Sequence, residues 1–217
     1  CWVCLGEMDD APLYATGNRA KPTLTLALSI EEPTVGAQYL SGVSNATSDD
    51  SYAPAQSYIG YFDADSCYHY NNQSEADYRR FDRSGAASGH QCDGSSFSGN
   101  FMNWASSSAI DILRLGLTGG DRVVDQDSLT ILQRAVLSTV RPERFWNGVN
   151  FPAKVLKQNW VAGAVPSALK GDYSGDIYVA ICLNRIHFGT EATGSCSQGA
   201  QTKLGCRGRP KCPQRRL

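Results

Sequence analysis

The distribution of apolar side chains along the chain predicts four elements in the order strand, helix, helix, strand. Residues 23–30 (TLTLALSI) alternate polar and apolar side chains between two prolines and therefore predict a strand. Residues 176–183 (DIYVAICL) form a nearly continuous apolar run, which is typical of a buried strand. This order of elements indicates an α/β or α+β core.

The first helix is predicted within residues 98–120, which read SGNFMNWASSSAIDILRLGLTGG. Asn100 or Asn103 is expected to cap its start, and Gly119 to end it in the left-handed conformation. Side chains that recur at spacings of three and four predict one apolar face, made of Ala105, Ala109, Ile112, Leu113 and Leu117.

Two further predictions concern the helical part of the chain. Asp111 and Arg114 are three residues apart, so we expect them to pair on the solvent side of the first helix. A second helix is predicted over residues 128–137, with Asp127 as its N-cap. Its apolar face would consist of Leu129, Leu132 and Val136.

A long polar stretch separates the first strand from the first helix. Residues 42–94 are dominated by Ser, Asn, Asp, Tyr and Gly, and the stretch is too long for a simple connection. We therefore expect a structured insertion or a functional loop at about residues 42–97. The 217 residues suit one domain over residues 1–202, followed by a tail of residues 203–217.

Charge is distributed unevenly, although the net charge is only −1. Residues 203–217 carry six basic side chains and no acidic one, which leaves −7 for residues 1–202. A basic tail could attract phosphate-rich partners such as nucleic acid or lipopolysaccharide. We favour a solvated terminus and expect no specific binding of nucleic acid.

Eight cysteines indicate an exported protein with disulfide bonds. No apolar run reaches the roughly 18–20 residues that cross a bilayer, so the chain is not expected to be transmembrane. No secretory signal opens the sequence, and we expect Cys1 to follow a processed or trimmed start. A lipid-modified Cys1 is the less favoured alternative.

The cysteines and histidines allow two interpretations. Cys67-x-His69 and His90-x-Cys92 could together hold zinc, or Cys67 and Cys92 could form a disulfide, which we favour in an exported protein. The remaining preferences are Cys182 with Cys196 and Cys206 with Cys212, whereas Cys1 and Cys4 either bridge each other or pair elsewhere.

Other candidate sites are sparse. Asp63 and Asp65 place hard oxygens at alternate positions, as does Asp172-x-Ser174-Gly-Asp176, and such spacing suits either a calcium loop or an Asx-turn. The sequence contains no GxSxG, HExxH or phosphate-binding glycine motif. We therefore name no catalytic residue and expect neither enzymatic activity nor a required cofactor.

Several ordered motifs carry a family resemblance. They are YIGYFD at 58–63, CYHY at 67–70, SGNFMNWA at 98–105, IDILR at 110–114 and the Gly pair at 119–120. In this order they resemble the PilY/PilC family, which comprises large adhesin and assembly proteins at the tips of bacterial type IV pili. Residues 21–35, and residues 177–182 followed by Cys196, are similar to further segments of that family.

The resemblance implies a three-layer α/β core related to the von Willebrand factor A (vWA) fold. The adhesion-site motif Asp-x-Ser-x-Ser of such domains is absent, because the first predicted strand ends in Ser29-Ile-Glu31. Family members usually continue into a β-propeller, for which this chain has no room, so we carry over no propeller function. Structural roles are implied for Asn100, Asn103, Trp104, Asp111 and Arg114, with Trp104 and Ile112 buried.

Three functions remain open on this basis. The favoured one is an extracellular adhesion and assembly module at the pilus tip, which contacts pilin or minor pilin subunits and a host or abiotic surface. The second is a self-contained secreted domain that displays residues 42–94 to a glycan or protein, since aromatic faces stack on sugars. The third, a secreted hydrolase, is less favoured.

Overall fold

The computed structural model describes residues 32–40, 48–136, 151–170, 175–182, 185–189 and 215–216. These residues form a mixed α/β structure. The described strands are β1 (Ser48–Asp49), β2 (Ser66–Asn71), β3 (Arg80–Ala86), β4 (Phe97–Ser98), β5 (Arg122–Gln126), β6 (Leu129–Leu132), β7 (Ala153–Leu156), β8 (Ile177–Cys182), β9 (Arg185–Gly189) and β10 (Arg215–Arg216). The α-helices are α1 (Gly99–Ser106), α2 (Ala109–Thr118), α3 (Gln158–Ala164) and α4 (Ser167–Lys170).

The largest sheet has the strand order β1-β7-β8-β9-β10. β1 pairs with β7 in parallel, whereas the other neighbours pair antiparallel. The apolar run at 176–183 forms β8, which confirms that predicted strand. Ile177, Val179 and Ile181 of β8 are buried because this strand lies between two neighbours and beneath the core.

The polar stretch at about 42–97 contains most of a second sheet, with the strand order β3-β2-β4. β2 and β3 form an antiparallel hairpin whose register shifts between Cys67 and Tyr68. The last strand, β4, leads directly into α1. This sheet gives the Tyr- and Ser-rich stretch a regular backbone and joins it to the helical part of the chain.

The prediction of a helix over residues 128–137 is wrong. The described part of this range contains β6, which pairs with β5 in an antiparallel hairpin around Asp127 and Ser128. Along β6, exposed Thr130 precedes buried Ile131, which is the alternation of a strand. The spacing of the apolar side chains also suits a helix. The chain forms a hairpin instead, because it reverses direction in the turn at Asp127.

The segment at 98–120 forms two helices instead of one. Ser98 caps α1 by accepting a hydrogen bond from the Phe101 N–H, so the N-cap is neither Asn100 nor Asn103. Ser107 and Ser108 separate the helices, and the Ser108 side chain caps α2. Gly119 ends α2 with φ of 79°, as predicted.

The break changes which side chains are buried. Phe101, Met102 and Trp104 in α1 are fully buried, which agrees with the prediction for Trp104. In α2, by contrast, Leu113 and Leu117 are 39% and 50% exposed. Ala109 is also exposed and Ile112 is half-buried, so the single apolar face predicted across 105–117 is wrong.

One aromatic core connects the two larger sheets. The indole of Trp104 packs near the ring of Tyr52, and the ring of Phe97 stacks on Phe188 of β9. Leu156 of β7 and Ile177 of β8 complete this cluster. Helix α1 therefore lies at the centre of the described structure, with one side against β8 and the other against the polar segment before β2.

Several predictions lie outside the described residues. These are the strand at 23–30, most of the tail at 203–217, and the disulfide partners Cys1, Cys4, Cys196, Cys206 and Cys212. No described helix combines the length and the apolar character needed to cross a membrane.

Candidate functional site

Two buried asparagines project from the same side of α1. Asn100 and Asn103 are three residues apart, and neither is accessible to solvent. The Asn100 carboxamide accepts a hydrogen bond from the Tyr58 N–H at 2.7 Å and donates one to the Gln56 carbonyl at 2.7 Å. Asn100 therefore binds the backbone of a segment more than forty residues earlier in the chain.

Asn103 makes three bonds to the same segment. Its Oδ1 accepts from the Phe62 N–H at 3.0 Å, while its Nδ2 donates to the carbonyls of Tyr58 at 2.8 Å and Phe62 at 2.7 Å. We call Asn100, Asn103 and residues 56–62 the asparagine clasp. The asparagines thus fix a distant backbone segment, where they satisfy groups that burial would otherwise leave unpaired.

Glycines permit this close approach. A Cβ on Gly60 would lie 2.2 Å from the Asn103 Oδ1, and a Cβ on Gly99 would lie 2.1 Å from the Asp63 carbonyl oxygen. No side chain fits at such distances. The Gly-Asn pair at the start of α1 therefore has a physical reason that apolar periodicity alone does not supply.

A cavity of about 200 Å³ lies beside the clasp. It is bordered by the β2–β3 hairpin, the α1–α2 junction and the β5–β6 hairpin. Four aromatic side chains line it, namely Tyr61, Phe62, Tyr68 and Phe81. Arg134 and Asp111 contribute charge to its wall, so the cavity combines apolar faces with a few polar groups, as ligand sites do.

Asp111 binds a different arginine from the one predicted. Its carboxylate accepts hydrogen bonds from Ser108 Oγ at 2.5 Å and from the Ala135 N–H at 2.7 Å, and lies 4.0 Å from Arg134 Nε. Arg114 instead pairs with Asp121 at 3.0 Å, so the predicted Asp111–Arg114 pair is wrong.

The environment of Arg134 explains its altered basicity. Burial lowers the pKa of the Arg134 guanidinium to about 10, and the nearby Asp111 carboxylate opposes this shift. The Arg134 Nε donates to the Ser106 carbonyl at 3.0 Å, and the guanidinium lies 5.4 Å from the centre of the Phe151 ring. Arg134 thereby joins the end of α1 to the segment after β6.

Cys67 and Cys92 form a disulfide, which is the pairing favoured from the sequence. The bond links β2 to the loop before β4. His69 is exposed, and the His90 Nδ1 lies 2.6 Å from the Pro54 carbonyl oxygen. The zinc alternative is therefore wrong, because both thiols are consumed. Within the described residues, no group of three or more His, Cys, Asp or Glu side chains could hold a metal ion.

Asp63 and Asp65 form an Asx-turn. The Asp63 carboxylate accepts hydrogen bonds from Ser66 Oγ at 2.5 Å and from the Asp65 N–H at 3.1 Å, and these bonds lower the pKa of Asp63. Calcium binding by this pair stays a prediction. At the second candidate loop, Asp176 accepts from the Gln158 N–H at 2.9 Å, whereas residues 172–174 lie outside the described residues.

A buried ion pair was not predicted. The Lys154 ammonium lies 2.5 Å from the Asp49 carboxylate, and both side chains are about 1% exposed. Burial lowers the pKa of Lys154, and the Asp49 charge opposes that shift. The available signal was a single lysine inside the apolar run FPAKVL at 151–156, where a core strand needs no charge.

Comparisons with known proteins agree with these motifs. A model of the family described as PilY1 homolog, small alpha/beta domain, matches residues 49–187. The Type IV pilus biogenesis factor PilY1 homolog of Xylella fastidiosa (strain Temecula1 / ATCC 700964) is 34% identical over 166 residues. That match covers 74% of this chain and 12% of the relative. No solved structure matches the chain.

Proposed function

The chain belongs to the family of PilY1 homologs, as its small alpha/beta domain, and from this we propose an extracellular contact module of a type IV pilus. The module would act in adhesion and pilus assembly, at the cell surface and pilus tip, without catalysing a reaction. The family match over residues 49–187 is the observation that carries this proposal. The relative is described as a type IV pilus biogenesis factor, and the chain spans 12% of its length.

The disulfide supports the extracellular location. Disulfides such as Cys67–Cys92 persist in oxidising compartments and are rare in the cytosol. Because the bond fixes β2 to the loop before β4, reduction would loosen the β3-β2-β4 sheet, which borders the cavity and leads into α1. A protein that works at a cell surface retains this bond.

The proposed partners are pilin or minor pilin subunits, together with a host or abiotic surface. Leu113 and Leu117 lie four residues apart on α2 and stay exposed, which makes them suitable positions to test subunit contact. We expect Leu113→Ser combined with Leu117→Ser to weaken binding to pilin subunits while the protein stays folded. Val136→Ser, at another exposed apolar position, is the matched control.

A deletion strain tests the function directly. Removing the gene should reduce the number of surface pili, twitching motility or attachment, and complementation with the wild-type gene should restore them. Complementation with the double serine variant should restore them less than the Val136→Ser variant does. A deletion strain that assembles pili, twitches and attaches normally would contradict the proposal.

We infer that residues 1–202 form one vWA-like domain of three layers, with residues 42–97 as an insertion and residues 203–217 as a basic tail. The pairing of β1 with β7 is parallel, as in such a sheet, whereas the other three pairs of the large sheet are antiparallel. Limited proteolysis should cut first within 203–217 and leave 1–202 intact, and an early cut between 42 and 97 would contradict the single domain.

The cavity favours a second function, the binding of a glycan or a protein side chain. Its four aromatic rings offer stacking faces, and Arg80, Asp82 and Arg134 offer polar contacts. A glycan array, read with wild-type protein and a Phe81→Ala variant, tests this possibility. Signal on a glycan that is lost in the variant would support it, and an array without signal beside clear pilin binding would reject it.

No cofactor is required in this proposal. Calcium is the one metal we consider, at Asp63 and Asp65, where it would have to compete with the internal hydrogen bonds of the Asx-turn. Calorimetric titration with calcium should register binding in the wild-type protein and lose it in Asp63→Asn. Equal heats for the two proteins would exclude this pair.

A further inference from the structure

Asp49 and Lys154 are direct neighbours across two parallel strands. Asp49 of β1 is in register with Lys154 of β7, so their side chains leave the sheet side by side. The Lys154 Nζ lies 2.5 Å from Asp49 Oδ2, and both side chains are about 1% exposed. The two groups are therefore held in contact, with solvent excluded.

Asp49 Oδ1 and Lys154 Nζ each have a further contact outside the pair. The Asp49 Oδ1 accepts a hydrogen bond from the Ser51 N–H at 3.0 Å. The Lys154 Nζ donates to the Tyr39 carbonyl oxygen and lies 4.7 Å from the centre of the Trp104 ring. Among the described residues, the Nζ thus contacts the Asp49 carboxylate, the Tyr39 carbonyl oxygen and the Trp104 ring, and these contacts hold the amine against the carboxyl group.

Burial in such a place disfavours charge. Removing an ammonium and a carboxylate from water costs several kcal/mol for each ion, and mutual attraction offsets that cost only in part. Transfer of one proton from Nζ to Oδ2 would give a neutral amine beside a neutral carboxylic acid. A neutral amine is a nucleophile, and a neutral carboxylic acid is open to attack at its carbonyl carbon.

We propose that Lys154 and Asp49 condense to an intramolecular isopeptide bond, which makes this pair a site of self-catalysed covalent modification. The Nζ lone pair attacks Asp49 Cγ, and a bond forms between Nζ and Cγ. The bond between Cγ and Oδ2 breaks, and Oδ2 leaves as water with one proton from the original transfer and one from Nζ. No oxidant, reductant or co-reactant is consumed.

The surroundings fit each stage of this reaction. The Ser51 N–H stabilises the negative charge that develops on Oδ1 during the attack. In the product, Oδ1 is the amide oxygen and keeps that hydrogen bond, while the remaining amide N–H keeps the Tyr39 carbonyl as its acceptor. The fixed contact between Nζ and the carboxyl group supplies the proximity that an intramolecular reaction needs.

The position of the bond gives it a mechanical purpose. Within the described residues, β1 spans two residues and pairs with β7 at those two positions. A covalent bond between the paired residues would keep β1 attached to β7 under a pulling force that breaks the backbone hydrogen bonds between the two strands. This inference does not depend on the proposed function, because the chemistry uses only groups within the chain.

The mass of the intact chain tests the inference. Full-length wild-type protein, reduced and alkylated, should be lighter by the mass of one water molecule than the mass calculated for the same sequence with its eight cysteines alkylated. A tryptic digest should lack cleavage after Lys154 and contain a branched peptide that joins residue 154 to the peptide holding residue 49. Lys154→Arg should restore the full sequence mass.

Lys157 provides the matched control. Its ammonium lies 3.3 Å from Asp50, but both side chains are exposed, so no condensation is expected there. Lys157→Arg should therefore keep the loss of water. A wild-type protein at its full sequence mass overturns the inference, as does a loss of water that persists in Lys154→Arg or maps to other residues. The wild-type measurement decides even if Lys154→Arg fails to fold.

Discussion

The asparagine clasp gives the sharpest stability prediction. Asn103→Ala removes three hydrogen bonds to the backbone of Tyr58 and Phe62. One of the freed carbonyl groups is buried and the other two backbone groups are partly buried, so water replaces the lost bonds only in part. With roughly 1–2 kcal/mol for each group left without a partner, we expect the free energy of unfolding to fall by about 4 kcal/mol.

A second variant separates hydrogen bonding from packing. Asn103→Asp has almost the same shape and keeps an acceptor for the Phe62 N–H, but it replaces the amide donor with an oxygen that faces two carbonyls. It should destabilise the protein at least as much as Asn103→Ala, because the buried carboxylate also loses its hydration. A packing role alone predicts a much smaller effect.

The measurement is urea unfolding at fixed pH with the Cys67–Cys92 disulfide intact. Asn159→Ala, an exposed asparagine in α3, is the control and should change the free energy of unfolding by less than about 0.5 kcal/mol. The slope of the free energy of unfolding against urea concentration should be the same for the wild-type protein and all variants. A loss below about 1 kcal/mol in Asn103→Ala, or near wild-type stability in Asn103→Asp, would refute the reasoning, because unpaired backbone groups cost more.

Three further predictions concern stability. The double variant Cys67→Ser with Cys92→Ser removes a disulfide that closes a loop with a sequence separation of 25. The free energy of unfolding should fall by about 3.5 kcal/mol in the same assay. An unchanged unfolding midpoint would show that the disulfide does not stabilise the fold. Burial lowers the pKa of His187 to about 4, below the unfolded value of 6.5. The unfolded chain thus binds more protons between these values, and stability should fall as the pH drops from 6.5 to 4, by up to about 3 kcal/mol more than in His187→Gln. Equal pH profiles would exclude this linkage. Gly99→Ala should cost about 2 kcal/mol or more, because its Cβ meets the backbone at 2.1 Å, whereas Gly116→Ala on the open side of α2 should gain about 1 kcal/mol. Similar thermal midpoints for the two glycine variants would contradict the steric argument.

Periodicity predicted element types best where one strong pattern had no competitor. The apolar run at 176–183 forms β8, because an apolar stretch of this length is too short for a buried helix and fits a buried strand. The helix at 98–120 was predicted as one continuous element, but Ser107 and Ser108 divide it. Its capping serines were overlooked, because the adjacent asparagines are equally good caps and only tertiary contacts assign them elsewhere.

The errors share a physical cause. Spacings of three and four at Leu129, Leu132 and Val136 also occur in a short hairpin, so four or five residues cannot distinguish a helix from strand β6. The partner of Asp111 could not be found from local spacing either, since Arg134 comes from a segment beyond the hairpin. The partners of the buried Asp49–Lys154 pair are further apart still. The apolar run at 151–156 marks the lysine as unusual, but no local pattern identifies Asp49 as its partner.

The spacing of partners along the chain also determines the order in which the described sheets can form. The strands β2, β3 and β4 and the Cys67–Cys92 bond lie within residues 66–98, so they need only local loop closure. Asp49 and Lys154 are separated by 105 residues. A chain that emerges from the ribosome N-terminus first can therefore complete the small sheet and its disulfide before β7 is available to pair with β1. We expect the late closure of the large sheet to limit the rate of folding.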